Sequence, residues 1–329
     1  MSFRLISPLP IRRTIRFLAL VLSTFVLVSD SSQAQVSSQF RPIRSDSELR
    51  EWLVNMIVCH NFTMAEAGEV LGYSPEKVRS EIARLAVDKE SPKPRQLTDP
   101  LTILPYPGGR HPRIGFLEGA VDPQRETKFS VFTPWDPTSY VVMDLPEAIF
   151  SNLGLTYLAH THIPTIFDKD GIKLDRMEWS KNADGSLSLV RKLPNGITYR
   201  AWARPFPGEV RMELELTNGT KEPLSGLRVQ QCLMLKGAKG FEAQTNDNKR
   251  FDSPYAVVHD PSRTRWIIQA WSRPQRVWGN PPCPCLHSDP QFPDLKPGQS
   301  ARLVGRIWFH EGRDIEGFLN RMKISAWDR

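Results

Sequence analysis

The stretch Glu209-Val210-Arg211-Met212-Glu213-Leu214-Glu215-Leu216-Thr217-Asn218-Gly219-Thr220 decides how the chain is read. Val210, Met212, Leu214 and Leu216 alternate with charged residues, so one face of a strand enters a core and the other meets water. Asn218-Gly219 then closes the run with a turn signal. Working outward, short runs of the same kind recur at 113–120, 128–133, 140–144, 155–160, 172–180, 187–192 and 197–204. They continue at 227–236, 255–259, 266–271 and 301–309, and Asp184-Gly185 and Asn195-Gly196 are further turn signals. About a dozen strands with no helices between them predict two large packed antiparallel sheets. A final helix is expected over 314–322. The composition agrees. Proline (28) outnumbers glycine (20), and nine tryptophans supply much aromatic surface, as β architecture with many turns requires. With 40% hydrophobic and 24% charged residues, the chain is neither disordered, nor a coiled coil, nor a multi-span membrane protein.

Residues 1–34 read as an export signal. Arg4, Arg12, Arg13 and Arg16 precede an apolar run at 17–28, and Ser32-Gln33-Ala34 offers small residues for signal peptidase. The run is shorter than the ~18–20 residues of a membrane span, which disfavours the alternative of an uncleaved anchor. The expectation is a periplasmic or extracellular protein with no stable membrane insertion after cleavage. The 329-residue chain carries a formal charge of +7. Without the leader's four arginines and one aspartate, 39 basic and 35 acidic residues remain, a net of +4 that calls for no nucleic acid or anionic membrane.

A helical signal occupies 45–87. Ser45 with Glu48 and Thr63 with Glu66 form capping boxes, and Leu49, Trp52, Leu53, Met56 and Ile57 make one apolar helix face. Gly72 stops a second helix, and Ser74 and Pro75 start a third. Ala65 through Ser74, with Gly68 four residues before Gly72 and Val78 six after it, resembles a helix-turn-helix. Glu76 and Glu81 dilute the basic face of Lys77, Arg79 and Arg84, and an exported protein meets no chromosome. The three helices therefore read as a docking module against the main domain, and no nucleic-acid partner is expected. Residues 88–112, rich in proline and glycine, read as a linker to a β-domain over 113–323.

The succession Val210–Thr217, Asn218-Gly219-Thr220, Leu224-Ser225-Gly226-Leu227 and the run to Leu235 resembles the galactose-mutarotase-like supersandwich. So does the late turn Lys296-Pro297-Gly298-Gln299-Ser300 before the last strand. The resemblance spans about 112–322 and implies a mainly β supersandwich whose concave sheet face takes a sugar, with histidine and carboxylate groups moving protons. No stretch matches that family's catalytic motif residue by residue.

Candidate chemistry follows from polar residues at strand ends and loops. His160-Thr161-His162 ends a strand, and alternation puts both imidazoles on one face about 6–7 Å apart, a spacing for acid–base work. The bland alternative is one capping and one packed histidine. Asn280-Pro281-Pro282-Cys283-Pro284-Cys285-Leu286-His287-Ser288-Asp289-Pro290 reads as a proline-stiffened loop holding side chains in place. His287 joins the catalytic candidates, with Asp289 to orient it and Asn280 and Trp278 beside it for substrate. Arg113 and Arg125 could clamp an anionic group, and Glu118 with Asp122 could form a carboxylate pair. A salt-bridged sheet edge is the alternative for that cluster. Cys232, Cys283 and Cys285 are disulfide candidates in an exported protein, so no cofactor is expected. The metal alternative uses Cys283, Cys285 and His287. Joined to these residues, the resemblance implies a carbohydrate-binding protein, with processing (epimerase, lyase or hydrolase) left open. A non-catalytic scaffold and a metal-dependent hydrolase are the rivals.

Overall fold

The computed structural model describes residues 40–92, 96, 98–114, 126–160 and 163–328. The leader, Glu118, Asp122, Arg125, His162 and most of the strand expected at 113–120 lie outside them.

The strands are β1 (Ile103–Pro105), β2 (Lys128–Phe132), β3 (Tyr140–Asp144), β4 (Ala148–Ser151), β5 (Gly154–Leu158), β6 (Ser180–Lys181), β7 (Leu187–Lys192), β8 (Thr198–Phe206) and β9 (Glu209–Thr217). They continue with β10 (Arg228–Gln230), β11 (Cys232–Met234), β12 (Lys249–Asp252), β13 (Tyr255–His259), β14 (Arg265–Trp271), β15 (Pro274–Gly279), β16 (Cys285–Pro290) and β17 (Ser300–Glu311). All pairings between them are antiparallel. A six-stranded sheet runs β1-β2-β3-β11-β16-β15, an eight-stranded sheet runs β12-β13-β14-β17-β9-β8-β7-β6, and β10-β4-β5 form a small third sheet. The fold is thus mainly β, as the alternating runs predict.

Val210, Met212, Leu214 and Leu216 are fully buried, each contributing about 1.5–3 kcal/mol of transfer free energy. They join Phe129, Val131, Val141, Met143, Leu233 and Leu286 of the six-stranded sheet in the main core between the two sheets. On the far side of the eight-stranded sheet, helix α4 (Ile315–Ile324) packs Ile315 and Leu319 on Val257, Ile268 and Trp308.

Three sequence expectations change. The run at 227–236 divides at Gln231 into β10 and β11, which belong to different sheets. Of 172–180, only Ser180 enters a strand, the two-residue β6. The loop expected at 280–290 is, from Cys285 onward, the fully buried strand β16. Its prolines sit where they cost little: Pro281, Pro282 and Pro284 precede the strand, and Pro290 is its last residue, so β16 keeps its ladder to both neighbours.

Helices α1 (Asp46–Leu53), α2 (Met64–Leu71) and α3 (Pro75–Arg84) form where the caps place them, and a π-helical turn, Val54–Cys59, follows α1. The Thr63–Glu66 capping box is complete, and Gly72 ends α2 in the left-handed region with φ 69°. Gly68 has no room for a side chain, since a Cβ would come within 2.5 Å of the Tyr73 carbonyl oxygen. Leu53, Met56, Ala67, Val70 and Val78 pack with Tyr106, Phe132, Tyr140, Val142 and Met234 on the outer face of the six-stranded sheet. Asn55 donates to the Pro105 carbonyl at 3.1 Å. Buried His60 bridges the Asn55 carbonyl (Nδ1, 2.8 Å) and the Ser130 hydroxyl (Nε2, 2.7 Å). The carbonyl can only accept, so Nδ1 carries the proton and Nε2 receives the hydroxyl. Within the stretch read as a linker, Ile103–Pro105 forms the edge strand β1. On α3, Arg84 is engaged by Asp46 and Glu81, leaving no uniformly basic face. Among the described residues no helix is long and apolar enough to cross a membrane.

Candidate functional site

Register builds the site. Lys128 on β2 stands opposite Asp144 on β3, and Cys232 on β11 stands opposite His287 on β16, which also faces Trp278 on β15. Since Leu233 pairs with Met143, one step along the same ladder sets Cys232 beside Asp144. Lys128, Asp144, Cys232, His287 and Trp278 therefore form one row across five strands, on the outer face next to the helices. Trp278 is half-buried and the other four are buried.

Two polar clusters grow from the row. In the first, Lys128 Nζ lies 2.9 Å from Asp144 Oδ1 and donates to the Ala159 carbonyl at 3.2 Å. His160, just past β5, places Nε2 at 3.3 Å from Asp144 Oδ2 and 3.5 Å from Glu147 Oε1. Glu147, in the turn between β3 and β4, is also gripped by the Arg113 guanidinium. His111 stacks on His160 with centroids 5.8 Å apart. Burial opposes ionisation of Glu147, but Arg113, His160 and His287 together outweigh it and hold the carboxyl well below its usual range. Asp144 is likewise lowered against burial, by the Lys128 ammonium together with His160. Burial, reinforced by the positive surroundings, pushes His111 down to about 3.

In the second cluster, His287 stacks on the Trp278 indole with centroids 4.0 Å apart. Its Nδ1 lies 3.3 Å from Asp289 Oδ1 and 3.9 Å from Glu147 Oε2. Asp289 is fixed by the Gln231 backbone N–H (3.0 Å) and by Trp278 Nε1–H (2.7 Å). Burial disfavours the imidazolium of His287, yet the neighbouring Cys232 and Asp289 hold its pKa well above the usual value. Burial also raises Cys232, but a hydrogen bond from Cys285 and the charge of Arg113 pull this thiol down to about 6.

A cavity of about 420 Å³ opens where the clusters meet. Arg113, Glu147, Lys169, Gln230, Asn280 and His287 are among its polar lining, Phe150, Leu155, Leu158, Ile163 and Pro164 among its apolar lining, and Trp278 and Cys285 also face it.

The structure thus brings together His160, His287, Asp289, Arg113, Trp278 and Asn280 of the sequence candidates. Trp278 differs from its expected role. His287 lies against its ring, the Arg276 guanidinium lies 4.2 Å from the ring centroid, and Nε1 serves Asp289. It therefore orients the histidine and the aspartate, and presents an edge rather than a free face to the cavity. The disulfide candidates Cys232, Cys283 and Cys285 are free thiols. The close metal-capable trio is Cys232, Cys285 and His287, so Cys232 takes the place expected for Cys283. Sequence reasoning missed Lys128, Asp144 and Glu147. The available signal was a charged residue at the end of an otherwise apolar strand run, as in Tyr140-Val141-Val142-Met143-Asp144.

By sequence, no family model and no curated protein matches the chain. Solved structures do. A candidate kojibiose phosphorylase from human microbiome aligns at 6% identity over 57% of this chain and 26% of its own, with a TM-score of 0.35. A polysaccharide lyase (BACCELL_00875) aligns at 13% identity over 66% of this chain and 33% of its own, with a TM-score of 0.33. A candidate mutarotase (YeaD) from Salmonella typhimurium aligns at 11% identity over 56% of this chain and 90% of its own, with a TM-score of 0.33. The chain spans about a quarter of the phosphorylase and about a third of the lyase.

Proposed function

We propose that the cavity binds a saccharide and that Glu147 is the carboxylate that handles a proton there. The composition of the cavity wall carries this reading. A sugar ring has hydroxyls around its rim and C–H groups on its faces, so it needs polar and apolar surfaces at once. Arg113, Glu147, Gln230 and Asn280 supply the first, and Phe150, Leu155 and Leu158 the second. The volume falls within the roughly 300–1,000 Å³ of small-molecule sites. Glu147 is ionised at neutral pH, and His160 stands 3.5 Å from it as a proton partner. A carboxylate is one of the groups that can move a proton in epimerase, lyase or hydrolase chemistry. In this reading the leader at 1–34 sends the protein out of the cytoplasm, and the helical module serves as a docked cover rather than a reader of DNA.

Isothermal titration of the full chain against a panel of neutral and anionic saccharides tests the proposal. Binding heat with at least one sugar is expected, and Leu158→Trp, which fills the cavity, abolishes it. Glu147→Gln retains binding and lowers turnover of that sugar by about 10²-fold or more. A panel that gives no heat overturns the reading.

A further inference from the structure

The thiols behind the cavity do not take part in the sugar reading, and their placement calls for a separate account. One sulfur each from Cys232 and Cys285 and one ring nitrogen of His287 lie within 4.8 Å of one another, and all three residues are buried. The register shows why a disulfide does not absorb them. Cys232 stands opposite His287, whereas Cys285 stands opposite Met234, so the two cysteines are diagonal neighbours across β11 and β16. Diagonal positions in an antiparallel pair are about 7–8 Å apart, at or beyond the ~7 Å limit for bridging two cysteines without moving the backbone. The sulfurs share a space that a third atom can fill.

We propose that Cys232, Cys285 and His287 bind a thiolate-preferring metal ion of the zinc class, with the fourth coordination position facing the cavity. Two sulfurs and one imidazole form a donor set that such ions favour over magnesium or calcium. Tetrahedral zinc, with bonds of about 2.3 Å to sulfur and 2.0–2.1 Å to nitrogen, needs these atoms only slightly closer together than they already lie. The supporting layer is also in place. His287 Nδ1 faces Asp289, and Asp289 is pinned by the Gln231 amide and the Trp278 indole N–H. That leaves Nε2 for the ion, and a carboxylate behind the second nitrogen is the usual backing of a metal-bound histidine. Cys285 and His287 line the cavity, so the open position faces it. Asp144, Glu147 and His160 are as close to one another, but their carboxylates are already paired with Lys128 and Arg113, and the trio lacks the sulfurs that such ions prefer. On binding, the ion takes both sulfurs as thiolates and His287 as a neutral imidazole, and the protons these groups still carry pass to solvent.

The test uses the full chain, reduced and stripped of metal, titrated with zinc while proton release is followed, and with cobalt while thiolate-to-metal absorption is followed. One equivalent of zinc, proton release and a thiolate–cobalt band are expected. Cys232→Ser and Cys285→Ser remove the band, Asp289→Asn weakens zinc binding about 10–100-fold, and Cys59→Ser, a free thiol on the helical module, leaves it unchanged. Circular dichroism confirms that each variant is folded. Where a serine variant does not fold, the wild-type cobalt band and proton release still decide. No zinc uptake, uptake without proton release, or uptake indifferent to both serine variants overturns the proposal. The saccharide titration has a different readout, so either proposal can fail alone.

Discussion

The two faces of the six-stranded sheet are made by the same strands and are both out of solvent, yet they are chemically opposite. Toward the eight-stranded sheet, Phe129, Val131, Val141, Met143, Leu233 and Leu286 form an uninterrupted apolar layer. On the other side, residues one position along the same strands give Lys128, Asp144, Cys232 and His287. Period-two alternation normally separates buried from wet; here the helices and the segment around His111 and Arg113 cover the second face as well. The inner layer holds by area and fit. The outer row holds only if every charge has a partner, because an unpaired buried charge costs far more than a paired one returns.

The sharpest way to break this comparison is Lys128→Met, which strands Asp144. Urea unfolding is expected to show a loss of about 3–5 kcal/mol, with most of it recovered in the Lys128→Met/Asp144→Leu double variant. Failure of the second change to rescue the first would mean that Lys128 acts through packing rather than charge. On the inner face, Leu233→Ala is expected to cost about 2–5 kcal/mol by its cavity, with no partner change able to restore it. The third and smallest effect tests the seam between helices and sheet. Burial lowers the pKa of His60 from 6.5 to about 3, so the folded protein refuses a proton that the unfolded chain accepts. Its contribution is complete above pH 6.5 and is lost progressively as pH falls toward 3. Between pH 6.5 and 5 the loss is about 2 kcal/mol, and the stability difference between pH 7 and pH 5 should shrink by about that amount in His60→Gln.

The legibility of the sequence follows the same division. Strands with one buried and one wet face, such as β7, β8 and β9, announce themselves by alternation, and the helices by their caps. Strand β16 does not, because it is buried on both faces and framed by prolines that mimic a loop. Short β4 and β12 carry too few residues for a period to show. At the site, His160, His287, Asp289 and Arg113 stand out as residue types. Lys128, Asp144 and Glu147 become meaningful only through register: a lysine at one strand's start and an aspartate at another's end look like ordinary boundary charges until the ladder sets them face to face.

The strand order also bears on how the protein behaves in a crowded solution. Among the described residues the two large sheets leave four edges, any of which could template another chain's backbone. Each edge is blunted. β1 has three residues and ends in Pro105; β15 begins with Pro274 and carries Arg276 across an irregular register. β6 has two residues, one of them Lys181, and β12 presents Lys249 and Arg250 in succession. The long, sticky strands of these two sheets, β8, β9, β14 and β17, are interior, so none of them offers a free ladder to a second copy of the molecule.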